Sequence, residues 1–147
     1  MATSSVEVEK LFKVEIYKGK SGFQEVMNYI LQADIKDKYF LGDVERFWGI
    51  VGWDYHIYWS EKRSKKGVQS KTLVYNNYYY ANLAQKHLQQ KRNVKYLSDS
   101  YKTLGSFVVF GTETVFYDTL NIIAYKIDNT IIADLFKNFF ILIWDLS

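Results

Sequence analysis

The sequence predicts an α+β fold: a mainly antiparallel sheet of about 5–7 strands with two amphipathic helices packed on one face. Three observations predict it. The apolar period switches along the chain between two and about 3.6 residues. The 147 residues contain no proline and no linker-like stretch, which suits a single domain over residues 1–147. The last third is rich in β-branched and aromatic residues, cut by Gly111, Asp128-Asn129 and Lys137-Asn138.

Met1–Ser5 is small and polar and reads as a frayed, disordered end. Val8, Phe12, Val14 and Ile16 alternate with Glu7, Glu9, Lys13 and Glu15, which predicts a strand over about 10–18. Gly19 and Gly22 turn the chain. Ser21 and Gln24 have capping-box spacing, and Phe23, Val26, Met27, Ile30 and Leu31 recur at helical spacing, so a helix is expected over about 22–33. Residues 34–46 are mixed and charged and read as loop.

Residues 47–60 alternate, with Val51, Trp53, Tyr55, Ile57 and Trp59 on one side, and read as a long strand bulged at Gly49 or Gly52. Residues 61–72 are polar and basic and read as a hairpin tip. Leu73 to Tyr80 reads as a returning strand or the start of a helix. Tyr80, Leu83, Ala84, His87 and Leu88 then predict a second helix over about 79–92, its basic end suiting the helix dipole. Strands are expected at 106–110, 114–119, 122–127, 130–136 and 139–144. For the last two, a single helix over 131–145 with Asp134, Asn138 and Asp145 as a polar stripe is the alternative; the β-branched and aromatic content favours strands.

Composition excludes several chemistries. With no cysteine there is no thiolate nucleophile, disulfide or Cys-ligated metal. His56 and His87, the two histidines, cannot build a three-histidine zinc site. No phosphate-binding glycine loop, dinucleotide fingerprint or HExxH sequence occurs. No cofactor and no metal are expected. The longest apolar run, Phe139 to Trp144, is far below the roughly 20 residues that span a bilayer, and no signal peptide is evident, so a cytoplasmic protein without a membrane partner is expected. Heavy use of Tyr, Phe, Ile, Asn and Lys matches AT-rich coding, a habit of viruses and mobile elements.

The net charge of +3 hides an asymmetry. Residues 61–102 carry ten Lys and Arg against Glu61 and Asp99, so that segment is +8 and the remainder −5. This points to a polyanion or an acidic protein surface as partner. Twelve of the 27 aromatic residues fall in residues 39–80, flanking the basic tip. Rings beside a positive groove suit stacked bases with Lys and Arg on phosphates. The expected function is therefore a small non-enzymatic nucleic-acid-binding protein of a virus or mobile element. Its contacts would be Lys62, Arg63, Lys65, Lys66, Lys71, Lys86, Lys91 and Arg92, with Tyr58 and Trp59 as the platform.

Two other classes stay open. One is a self-associating protein–protein module, a virion component or an inhibitor of a host protein, pairing as a homodimer. The other is a metal-dependent nuclease around Asp54 and His56, which on a strand would share a face and could start a general base. The order of His56, Tyr78–Tyr80 and Lys86 is similar to that in small rolling-circle replication initiators, which pair two histidines with a later tyrosine nucleophile. Here the motif reads His56-Ile57-Tyr58, with only one of those histidines, so the resemblance does not supply the metal site.

Overall fold

The first three strands of the C-terminal meander form as the sequence predicts. In the computed structural model, which describes residues 13–75 and 91–147, β-hairpins join Gly105–Phe110, Glu113–Asp118 and Ile123–Asp128. In chain order the elements are β1 (Lys13–Lys18), α1 (Gly19–Gln32), β2 (Asp37–Gly42), α2 (Val44–Val51), α3 (Trp53–Lys66), β3 (Gln69–Val74), β4 (Arg92–Tyr96), β5 (Gly105–Phe110), β6 (Glu113–Asp118), β7 (Ile123–Asp128) and α4 (Thr130–Leu146). The fold is α+β. Its seven-stranded sheet has the order β1-β7-β6-β5-β2-β3-β4. The pairings from β1 to β2 are antiparallel, while β2, β3 and β4 run parallel. The β2–β3 pair is parallel because α2 and α3 form the crossover between them.

Helix α1 meets its expectation. Phe23, Val26, Met27 and Ile30 are buried on one stripe and join the core with Phe40, Phe47, Val108, Val115 and Tyr117. Gly22 lets α1 lie close to β1: a Cβ there would fall 2.8 Å from the Tyr17 carbonyl carbon.

Four expectations are corrected. Residues 47–60 are not a strand but the end of α2 and most of α3, divided at Gly52, whose φ of +97° ends one helix and starts the next. The segment 34–46 is not loop: it carries β2 and, from Val44, α2, whose cap is the Asp43 carboxylate accepting from Arg46 N at 3.2 Å. The basic hairpin does not exist: residues 61–66 end α3, Gly67 caps it at φ +89°, and Gln69 opens β3. Residues 130–146 are one helix, capped by Asn129 Oδ1 accepting from Ile132 N at 3.0 Å. That helix also changes the layering. The helices α1 to α3 cover one sheet face, whereas α4 lies on the other, with Phe140 against Tyr39 and Phe136 against Phe107 and Phe116. The helix expected over 79–92 falls largely outside the described residues, except that Arg92 opens β4.

Candidate functional site

The residues expected to bind nucleic acid divide into an exposed group and a buried one. Tyr58, Lys62 and Lys65 follow one another at i, i+4 and i+7 on the solvent face of α3. The Lys62 amine sits 5.8 Å from the Tyr58 ring centroid, within reach of a cation–π contact. Lys66 is exposed as well, and its amine donates to the Leu31 and Ala33 carbonyl oxygens at 2.7 Å each, closing the C-terminus of α1. Lys91 is exposed, and its amine lies 3.9 Å from where a Gly67 Cβ would be. Lys71 is half-buried, its amine 5.4 Å from the Trp144 ring on the α4 side of the sheet. Lys86 lies outside the described residues. So the +8 of the sequence is not an eight-charge surface.

Trp59, Arg63 and Arg92 are buried. Two registers bring them together. Across the parallel strands, Lys38 pairs with Ser70 and Ser70 with Arg92, so the three share a row on the face that α3 covers. On α3, His56, Trp59, Ser60 and Arg63 recur at i, i+3, i+4 and i+7 and form the buried stripe. A helix face half made of polar groups thus lies against a sheet row with a cation on either side of a serine.

The contacts fix most of this seam. Arg92 donates from Nη2 to Ser60 Oγ at 3.1 Å, and its guanidinium lies 5.9 Å from the Trp48 ring. Arg63 donates from Nη1 to the Val68 carbonyl oxygen at 2.6 Å. His56 stacks on Trp48 at 3.6 Å, with Nδ1 3.4 Å from Ser60 Oγ. The Trp59 indole N–H donates to the Met27 carbonyl oxygen at 2.7 Å. The Lys38 amine lies 5.1 Å from the Trp59 ring and 5.7 Å from the Phe40 ring. A cavity of about 40 Å³ opens between these groups, with Lys38, Phe40, Trp48, His56, Trp59 and Arg92 in its wall.

Electrostatics follow from burial. Desolvation holds the Lys38 amine well below the ordinary lysine range, and the Arg63 and Arg92 charges push it further. Burial, then Arg63, pushes Arg92 down to about 9, and burial alone pushes Arg63 down to about 10. Both guanidinium groups stay charged at neutral pH. A second buried lysine shows the contrast. The Lys126 amine has Glu113 Oε1 at 3.4 Å and Glu15 Oε2 at 3.5 Å, and Tyr29 also donates to Glu113 Oε1 at 2.7 Å. That cluster is closed on itself.

The Asp54–His56 pair is not assembled. On a helix, neighbours two apart do not face each other; Asp54 is exposed in the first turn of α3 and His56 is buried. Among the described residues no group of three His, Asp or Glu side chains could hold a metal ion. Sequence reasoning missed Lys38, which was hidden in a segment read as loop.

No protein-family profile and no curated protein matches the sequence. Solved structures share the fold. One is TrmBL2, an archaeal chromatin protein whose structure shows a novel mode of DNA binding. It matches with a TM-score of 0.60 at 15% identity, over 97% of this chain and 56% of that one. Another is polyphosphate kinase from Porphyromonas gingivalis, with a TM-score of 0.57 at 11% identity, over 88% of this chain and 26% of that one. The chain thus spans about half of the first and a quarter of the second. At these identities the likeness is one of fold. Among the described residues no helix is long and apolar enough to cross a membrane.

Proposed function

We propose that this protein binds nucleic acid through phosphate contacts with little sequence preference, as a binding module whose surface is the solvent face of α3. The observation that carries the reading is the exposed stripe Tyr58, Lys62, Lys65, extended by the exposed amines of Lys66 and Lys91. Tyr58 can stack on a base while the amines meet phosphates. The fold shared with a DNA-binding chromatin protein supports the reading without carrying it. Arg63, Arg92 and Trp59 hold the helix in place from beneath and do not touch the ligand.

Four exposed lysines set the scale. Each phosphate neutralised contributes about 0.7 to 0.9 to the slope of log affinity against log salt, so affinity falls roughly a hundredfold from about 50 to about 200 mM salt. Fluorescence anisotropy with labelled single- and double-stranded DNA measures this. The double variant Lys62→Ala/Lys65→Ala should lower the slope by about two units. Absent binding at 50 mM salt, or binding untouched by the double variant, refutes the reading.

A second reading rests on α4. Leu135, Phe139, Leu142 and Leu146 are exposed at spacings of four, three and four. That is the heptad seam of paired helices. Val14, Ile16 and Tyr125 are exposed on the same sheet face, since Phe116, which α4 covers, pairs with Tyr125 and Tyr125 with Ile16. Here a second copy of the chain would cover α4, making a two-fold dimer. Light scattering should then give twice the chain mass, reverting to one chain in Phe139→Glu; a monomer at high concentration removes this reading.

A further inference from the structure

The cavity under α3 carries an inference that the surface reading does not need. Its wall holds cations, and the ordinary remedy for a buried cation is a carboxylate. None is in place. Among the described residues, Lys38 and Arg92 make no ion pair, and residues 76–90 contain neither Asp nor Glu. Arg92 is 6% exposed, and after Nη2 has been used on Ser60, its Nη1 is buried with no hydrogen-bond partner. A guanidinium N–H left over in a cavity wall is a donor waiting for an acceptor.

The remaining geometry states what the acceptor should be. Lys38 and Arg92 flank Ser70 in one sheet row, and Arg63 faces that row from α3. The Arg92 guanidinium and the Lys38 amine line the cavity from the sheet, and Arg63, outside its wall, adds positive field from α3, which suits a compact dianion better than a planar, singly charged carboxylate. The Ser60 and Thr72 hydroxyls supply further polar atoms close by, Thr72 lining the cavity itself. The volume of about 40 Å³ is several times the roughly 10–15 Å³ that one water needs. It admits an ion of a few heavy atoms and no polymer. Around it Phe40, Trp48 and Trp59 keep the surroundings apolar, so each charge–charge contact inside is strong.

We propose that this cavity is a binding site for a phosphate dianion, either free inorganic phosphate or the terminal group of a small phosphomonoester, held by Arg92 Nη1 and the Lys38 ammonium. Arg63 adds its field from the helix side. The site is separate from the surface of α3, and its occupancy does not require that the protein bind nucleic acid.

The test uses the full chain in a phosphate-free buffer. Inorganic phosphate is titrated against the thermal midpoint, with sodium chloride exchanged to keep ionic strength constant. A ligand that binds only the native state raises the midpoint saturably, by about 5 °C or more at a hundredfold excess over its Kd. That rise should vanish in Lys38→Met and in Arg92→Leu, and persist in Lys62→Ala/Lys65→Ala, whose changes lie on the surface. Glycerol 3-phosphate serves as the second arm. A larger shift than with phosphate at equal concentration assigns the site to the end group of an ester, and an equal or smaller shift assigns it to the free ion. If the wild-type midpoint does not rise with either probe up to about 10 mM, or rises equally with chloride, the proposal is overturned. The same holds if the rise survives Lys38→Met. The wild-type titration decides by itself should a variant fail to fold.

Discussion

Two buried lysines on one face of the sheet should respond to the same substitution with opposite signs. Lys38 is 9% and Lys126 4% exposed. Methionine keeps most of the length and volume of either side chain and deletes its charge. At Lys126 the change strands Glu113, whose carboxylate keeps only the Tyr29 hydroxyl. Removing one partner of a buried pair costs about 3–5 kcal/mol. At Lys38 no carboxylate is left behind. The lost contacts are those to the Trp59 and Phe40 rings, each about 0.5–2 kcal/mol. Against them stands the removal of a desolvation penalty of several kcal/mol. The net expectation is a gain of about 2 kcal/mol for Lys38→Met, or roughly 4–8 °C in Tm for a chain of this size, and a loss on the order of 10 °C for Lys126→Met.

The assay is thermal and urea unfolding of the three proteins in phosphate-free buffer at pH 7, with the urea slope checked for constancy. A pH series adds a second readout. Burial depresses the folded-state pKa of Lys38; Arg63 from α3 and Arg92 from β4 act on it, and His56 from α3 and Tyr117 from β6 line the same cavity. Between that depressed value and the ordinary 10.5, the unfolded chain binds the extra proton. Wild-type stability should therefore climb with pH through this window, and the climb should be missing in Lys38→Met. A Lys38→Met variant that melts well below wild type, or two variants that shift in the same direction, refutes the argument that Lys38 is a charge without a counter-charge.

Three other positions give independent checks. Gly42→Ala would put a Cβ 2.2 Å from the Ser106 Cβ on the neighbouring strand, so β2 and β5 must part; a loss of about 1–3 kcal/mol by urea unfolding is expected. Asn129→Ala removes the acceptor for Ile132 N at the start of α4 and should cost about 1 kcal/mol, while Asn129→Asp should restore it. Hydrogen bonds from Lys13 and Tyr17 lower the Glu15 carboxyl from 4.5 to about 2. The stability this adds is complete above 4.5 and disappears as pH falls toward about 2, so Glu15→Gln should flatten the acid limb of the unfolding midpoint over that range.

The parts of the fold legible in the sequence are those whose apolar period is uninterrupted. Helix α1 shows Phe23, Val26, Met27 and Ile30 at uninterrupted helical spacing, and β5 to β7 carry clear turn residues between them. Helix α3 was illegible because its buried stripe is His56, Trp59, Ser60 and Arg63, of which one is apolar. A search for apolar periodicity sees Trp53, Tyr55 and Ile57 instead, one exposed and two half-buried, and reports alternation. Two local signals stood against the strand: Asp43 three residues before Arg46, and Gly67 after a basic turn. Helix α4 was misread for a different reason. It is apolar on the face that packs and on much of the face that does not, so the polar stripe was too narrow to outweigh β-branched content. The basic segment is legible as charge but only in part as surface, because sequence does not say that helical phase sends Arg63 inward and strand register sends Arg92 inward.

One row of the sheet runs Lys13, Asp128, Glu113, Phe110, Lys38, Ser70, Arg92 across all seven strands on the face of α1 to α3. At the β1 end one cation, Lys13, is followed by the two carboxylates Asp128 and Glu113, and the Lys126 amine beside this row is closed by two carboxylates. At the β4 end both charged members are cations. Stability alone gives no reason for that end: an apolar side chain at position 38 would pack against Phe40 and Trp59 without a desolvation penalty. The energy held there is recovered only when an anion enters. Anion binding and folding are then one linked equilibrium, in which the substitution that most stabilises the empty protein is the one that most weakens its affinity. A correlation of opposite sign, with Lys38→Met both less stable when empty and still responsive to phosphate, would break the link at its first step.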